Sequence, residues 1–155
     1  MNLPSYRKLA VPILCIMAVC CIAGCTEPAG YEIFIRQGDT AGTGRYDFRL
    51  DMSDSLSAYD IAFFTRTDND SLFSVPLDIR LISPSGKEYR ESVHIPVSGF
   101  RARSGFSAEY RGDYRTGAVP AEYGIWMLQV TIPGQDRLHG LRGLGLSVRK
   151  DKRIE

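Results

Sequence analysis

Between Arg45 and Met52 the chain reads RYDFRLDM, with apolar and charged residues in strict alternation. Tyr46, Phe48, Leu50 and Met52 fall on one side, and Arg45, Asp47, Arg49 and Asp51 on the other. Successive strand side chains point to opposite faces, so this pattern belongs to a strand with one face buried and one in water. A chain that contains such a strand must supply further strands to pair with it and a second layer to cover its apolar face.

The rest of the sequence offers those strands. YEIFIRQ (Tyr31–Gln37) is β-rich, and AYDIAFFTRT (Ala58–Thr67) is apolar enough to be a central strand. VPLDIRLIS (Val75–Ser83) alternates, with Leu77, Ile79 and Leu81 inward and Asp78 and Arg80 outward. Pro84-Ser85-Gly86 then turns the chain into KEYRESVHIPV (Lys87–Val97), which makes a hairpin. GIWMLQVTI (Gly124–Ile132) is the strongest apolar strand, and LRGLGLSVRK (Leu141–Lys150) closes the body. Gly143 and Gly145 alternate with Leu144, Leu146 and Val148, and glycines within a strand imply close backbone approach or a bulge. Ser98 to Pro120, rich in glycine and arginine, reads as a long irregular connection. No twelve-residue amphipathic helix and no internal repeat are found. The expectation is a single all-β domain over residues 31–150, an antiparallel β-sandwich of about seven or eight strands, with a small barrel as the alternative.

Residues 1–24 are expected to be a leader rather than part of the fold. Arg7 and Lys8 precede Leu9–Gly24, an uncharged run shorter than the roughly twenty residues that cross a bilayer. The run ends in Ile22-Ala23-Gly24-Cys25, which resembles a bacterial lipobox. The resemblance implies cleavage between Gly24 and Cys25 and lipidation of Cys25. All four cysteines of the chain lie at or before Cys25. A body without cysteine has neither a disulfide nor a thiolate metal site, so a core of about 130 residues must stabilise it. Thr26–Gly30 is a short tether, reaching ~18 Å at most. Thr26 gives no inner-membrane retention aspartate, so the outer membrane is the expected location.

Once Arg7 and Lys8 are removed, the 19 basic and 18 acidic residues of the whole chain leave a body close to neutral. Such a body lacks the basic face that nucleic acids require. The only short charged block is the tail that starts at Arg149, its last residues 151–155 lying beyond the expected domain. Catalysis finds little support. His94 is expected on the outer face of its strand and His139 in a turn, and there is no nucleophile elbow. Asp68-Asn69-Asp70-Ser71 offers oxygen ligands but reads as a turn, and no metal or cofactor is expected. Asn69-Asp70-Ser71 matches a glycosylation acceptor that a bacterial lipoprotein would not use. Arg111-Gly112-Asp113 reads as a turn. The candidate binding loop holds Phe100, Arg101, Arg103, Phe106, Tyr110 and Tyr114, aromatic faces among hydrogen-bonding arginines. Trp126, in phase with Leu128 and Val130, reads as core.

Three pieces in order resemble one family. They are SPSGKEYRESVHIPV (Ser83–Val97), SGFSAEYRGD (Ser104–Asp113) and VPAEYGIWMLQVTIP (Val119–Pro133) followed by LHGLRGLGLSVRK (Leu138–Lys150). Pro120, Gly124, Trp126 and Leu128, then Leu141, Gly143 and Leu144, fill the closing pattern of the gliding-motility lipoprotein H (GldH) family. The likeness runs from about Tyr46 to Lys150. It implies a non-enzymatic envelope lipoprotein, accessory to gliding-motility or related secretion and surface machinery, held to the membrane through Cys25 and meeting envelope protein partners. No small-molecule substrate is identified. The alternative is a surface β-sandwich lipoprotein that binds a glycan or a protein.

Overall fold

The computed structural model describes residues 30–68, 74–96, 100–104 and 107–152. Nine strands run through them: β1 (Gly30–Arg36), β2 (Arg45–Met52), β3 (Ser57–Thr67), β4 (Ser74–Ile82), β5 (Glu88–Pro96), β6 (Phe100–Ser104), β7 (Ser107–Ala118), β8 (Gly124–Thr131) and β9 (Leu141–Lys152). Two 3-10 turns, Gln37–Thr40 and Gln135–Arg137, lie in connections. The strands form a five-stranded sheet, in the order β1-β9-β3-β7-β6, and a four-stranded sheet, in the order β2-β8-β4-β5. Every pairing is antiparallel. The fold is the expected β-sandwich.

The core lies between the sheets and follows the alternation of the sequence. β2 buries Tyr46, Phe48, Leu50 and Met52 and exposes the charged residues between them. β4 supplies Val75, Leu77 and Ile79, and β8 supplies Trp126, Leu128 and Val130. Tyr59, Ile61 and Phe63 of β3 meet them from the other sheet, with Leu144, Leu146 and Val148 of β9. Full burial of each such side chain is worth ~1.5–3 kcal/mol, and together they form one continuous core. The β4–β5 hairpin forms as expected, with Ser83 and Lys87 closing its turn through a backbone hydrogen bond of 2.9 Å.

β3 departs from simple alternation. Phe64 points away from the sandwich core, yet it is only 2% exposed. Its ring lies over β9, where a Cβ on Gly145 would run into it. Phe34 of β1 stacks on it at 5.8 Å, and the guanidinium of Arg111 sits 5.4 Å from its centre. Arg66 covers Phe34 at 4.5 Å. Arg111 pairs with Glu32 and donates to Ser147 Oγ at 3.1 Å, while Arg66 pairs with Glu109 at 3.1 Å. The glycine of β9 thus marks close approach, as its position in a strand implied.

Three expected boundaries move. Gly30 is already in β1, and β9 runs on to Lys152, two residues into the expected tail. The segment Ser98–Pro120 is not an irregular connection: β6 and β7 form a hairpin in it, and β7 is twelve residues long. Arg111-Gly112-Asp113 is accordingly strand rather than turn. Gly112 is small there because β5 crosses above it, and a Cβ would come within 2.9 Å of Pro96 Cδ. The hairpin raises the strand number to nine.

Candidate functional site

The strand registers define two ends of the sandwich. β1 begins and β9 finishes at the same end, which also carries the β2–β3, β4–β5 and β7–β8 connections. The described chain begins there at Gly30, where the expected tether would join, so it is the tether end. The β1–β2 and β8–β9 connections lie at the far end.

β6 pairs with β7 only up to Tyr110, and β5 is the outer strand of the other sheet. Beyond Tyr110 the outer edge of β7 has no strand partner among the described residues, and it meets β5 by packing, Gly112 against Pro96 and Tyr114 against Glu91. Beside Tyr114, at the tether end, opens a cleft of about 320 Å³. Leu50, Met52, Ile61 and Leu81 form its floor, and Trp126 and Tyr89 form one wall. The other wall is Ala118–Ala121, where the chain passes from β7 towards β8. The lining is predominantly apolar, whereas the concavity beside β1 and β9 at the far end is lined by the Arg142–Asp68 pair and that over β4 by Arg45, Asp78, Arg80 and Arg90.

Glu91, Tyr114 and Arg115 form the polar rim. Glu91 is on the inward face of β5, in register with Ile79, where an apolar residue would be expected. It accepts hydrogen bonds from the Tyr114 hydroxyl and from Arg115 Nη2, the latter at 2.5 Å. Arg115 also lies 4.4 Å from the centre of the Tyr114 ring. Burial raises the Tyr114 pKa, and the carboxylate of Glu91 raises it further, so the hydroxyl stays a donor. A charged residue facing inward on an edge strand is also a means of blocking indiscriminate strand pairing.

The β7–β8 wall is clamped to the neighbouring turn. Glu122 accepts from Ser85 Oγ at 2.8 Å and from the Ser85 amide at 3.1 Å, and pairs with Lys87 at 3.2 Å. The Ser85 hydroxyl, with help from Lys87, lowers the Glu122 pKa to about 2. Trp126 Nε1 donates to the Glu122 carbonyl at 2.9 Å, and Tyr89 packs against Trp126 at 6.0 Å. The cleft is preformed: its walls are fixed by hydrogen bonds that belong to the fold itself.

Compared with protein-family models and with curated proteins, the chain matches none. The site therefore rests on its own geometry.

Of the expected binding-loop residues, the structure brings Tyr114 to the cleft. Tyr110 is on β7 and packs against the core, away from the cleft. Phe100, Arg101 and Arg103 are on β6, and their side chains are outside the described set. Phe106, Gly24 and Cys25 also lie outside the described residues, as does Asn69-Asp70-Ser71. Asp68 is engaged by Arg142, whose Nε donates at 2.6 Å. His94 is exposed on the outer face of β5 and His139 lies in the β8–β9 connection, each where expected and neither at the cleft. No described group of three His, Cys, Asp or Glu side chains could hold a metal ion. Trp126 is core, as expected, but one edge of it also lines the cleft.

Sequence reasoning missed Tyr89, Glu91 and Val119. One signal was present. In KEYRESVHIPV the inward phase reads Tyr89, Glu91, Val93, Ile95, and the carboxylate breaks an otherwise apolar row.

Proposed function

We infer that this chain is a non-enzymatic lipoprotein of the bacterial envelope, anchored through Cys25, whose cleft receives an apolar segment of an envelope protein partner. The role is that of an accessory assembly component, of the kind the GldH resemblance implies for gliding-motility or related secretion and surface machinery. The observation that carries the reading is the preformed apolar cleft beside the outer strand β5. An extended segment laid there could pair with β5 and place a side chain against Leu81 and Trp126. The lipobox pattern ending at Cys25 supports the anchor. Confinement to a membrane raises effective concentration near other envelope components, so a small cleft can suffice.

The glycan-binding alternative is less favoured by the same cleft. Sugar rings stack on open aromatic faces, but Trp126 is 5% exposed and Tyr114 is 9% exposed. Of the three aromatic residues that line the cleft, Tyr89 is the one with an accessible ring. Chemical cross-linking in intact cells, with mass spectrometry of the products, tests the assembly reading. Recurrent envelope partners with the natural chain, lost with Cys25→Ala, are expected. Absence of any protein product with the natural chain would overturn it.

A further inference from the structure

We propose that the tether end of the sandwich rests directly on the lipid bilayer. This rests on the reading of Cys25 as a lipid anchor. The bilayer is chosen as occupant because of where the chain enters the fold. Four residues lie between Cys25 and Gly30, so five Cα-to-Cα steps hold the start of β1 within ~18 Å of the acylated cysteine.

The same end carries the four most exposed large apolar side chains of the described residues; Ile33 and Met127, each 37% exposed, lie within β1 and β8. Leu56 is 75% exposed, Val119 52%, Tyr89 47% and Tyr123 46%. They come from three regions: Leu56 from the β2–β3 connection, Tyr89 from the start of β5, and Val119 and Tyr123 from the β7–β8 connection. Among the described residues, no large exposed apolar side chain lies in the far-end connections. Leucine, valine and tyrosine suit the boundary between headgroups and acyl chains, where an apolar group enters and a phenol remains wet.

Leu56 is presented by a rigid turn. Asp54 Oδ1 accepts from the Leu56 amide at 2.9 Å, Asp54 Oδ2 accepts from Ser57 Oγ at 2.8 Å, and the Asp54 amide donates to the Tyr59 hydroxyl at 3.0 Å. The structure thus holds an apolar side chain outward. Charge at this end is mixed rather than one-signed: Lys87 is paired with Glu122, and Arg149, Lys150 and Lys152 at the close of β9 stand among Asp51, Asp54, Asp60 and Asp151. The contact is therefore made by shallow insertion of apolar and aromatic groups, and anionic lipid is not required. Docking would bring the mouth of the cleft to the membrane surface, so its partner segment would be met there.

The test uses the full lipidated protein in phosphatidylcholine vesicles whose acyl chains carry bromine, a short-range quencher. Single cysteines for a fluorescent label are introduced as Leu56→Cys or Val119→Cys at the tether end, and as Asp39→Cys or Asp136→Cys at the far end. An eleven-residue strand such as β3 spans ~36 Å, so a quencher reached by insertion of ~5–10 Å cannot act at both ends. The expected result is strong quenching at 56 and 119, little at 39 and 136, and no dependence on added anionic lipid. Leu56→Glu should abolish quenching at 119 without lowering the melting temperature. Co-flotation with vesicles but no quenching at 56 or 119 would overturn the docking and leave the anchor intact. Failure to float would overturn both. A label at 56 that is shielded from aqueous iodide, unquenched by bromine and released on dilution would identify a second copy as the occupant and also overturn the proposal.

Discussion

The two ends of the sandwich are closed in different ways. At the far end the described connections are short polar turns. Gln37–Thr40 and Gln135–Arg137 each form one 3-10 turn, and Thr40, Thr43 and Gly134 supply local hydrogen bonds. At the tether end Glu122 clamps one connection to another through Ser85 and Lys87, while Trp126 holds the Glu122 carbonyl and Tyr59 holds the Asp54 amide from the adjoining strands. The far end is finished by polar turns and by the Arg142–Asp68 pair. The tether end keeps apolar side chains facing outward beside an open cleft. Rigid exposure of apolar groups is costly in water, which is the ground for proposing that the tether end is the one that meets a partner.

Substitutions that separate these two designs should differ in size. Trp126→Ala is expected to have the largest effect, removing a cleft wall and its hydrogen bond to Glu122 together, with a loss of ~3–5 kcal/mol in denaturant unfolding. Two buried tyrosines give a sharper contrast. Tyr114→Phe removes a hydroxyl that donates to Glu91 and should destabilise by ~1 kcal/mol. Tyr46 lies nearer the far end, its hydroxyl is buried with no hydrogen-bond partner among the described residues, and burial pushes its pKa up to about 12. Tyr46→Phe should therefore be neutral or stabilising by up to ~1 kcal/mol. At the far end Ala41 has φ of 49°, a left-handed conformation that suits glycine better. Ala41→Gly should raise stability by about 0.5 kcal/mol.

The smallest expected effect concerns pH. The folded pKa of Glu122 is lowered to about 2 from an ordinary 4.5. Its contribution is fully present above about 4.5 and is lost as pH falls towards 2. Glu122→Gln should flatten that part of the stability curve and leave stability between pH 6 and 8 dependent on pH only as in the natural chain. Melting temperatures across pH 2–8 check this.

Most of the fold was legible because alternation reports burial directly. In β2 each of four apolar residues faces the core and each charged residue faces water. The glycines of β9 were legible as close approach, but the aromatic that approaches was not. Phe64 looks like an ordinary core residue in sequence, and its place on the outer face depends on Phe34 and Arg111, from strands distant in the chain. The Ser98–Pro120 segment reads as irregular in sequence because arginine and glycine interrupt its apolar pattern. Glu109, Arg111 and the aromatic rings of sheet neighbours satisfy those positions only after the sheet has formed. The candidate site was legible in one residue, Tyr114. Its partners Tyr89, Glu91 and Trp126 are brought to it by the packing of two sheets, which no local pattern encodes.

The measurement that tests the account most directly is site-specific photo-cross-linking in intact cells. A photoreactive residue replaces Val119 or Tyr89 at the cleft, or Asp39 at the far end. The expected result is one recurrent envelope protein captured at 119 and 89, absent at 39, joined through an apolar segment, and lost when Leu81→Glu places a charge in the cleft. Equal capture at 39 and 119, or capture that survives Leu81→Glu, would contradict a partner-binding cleft at the tether end.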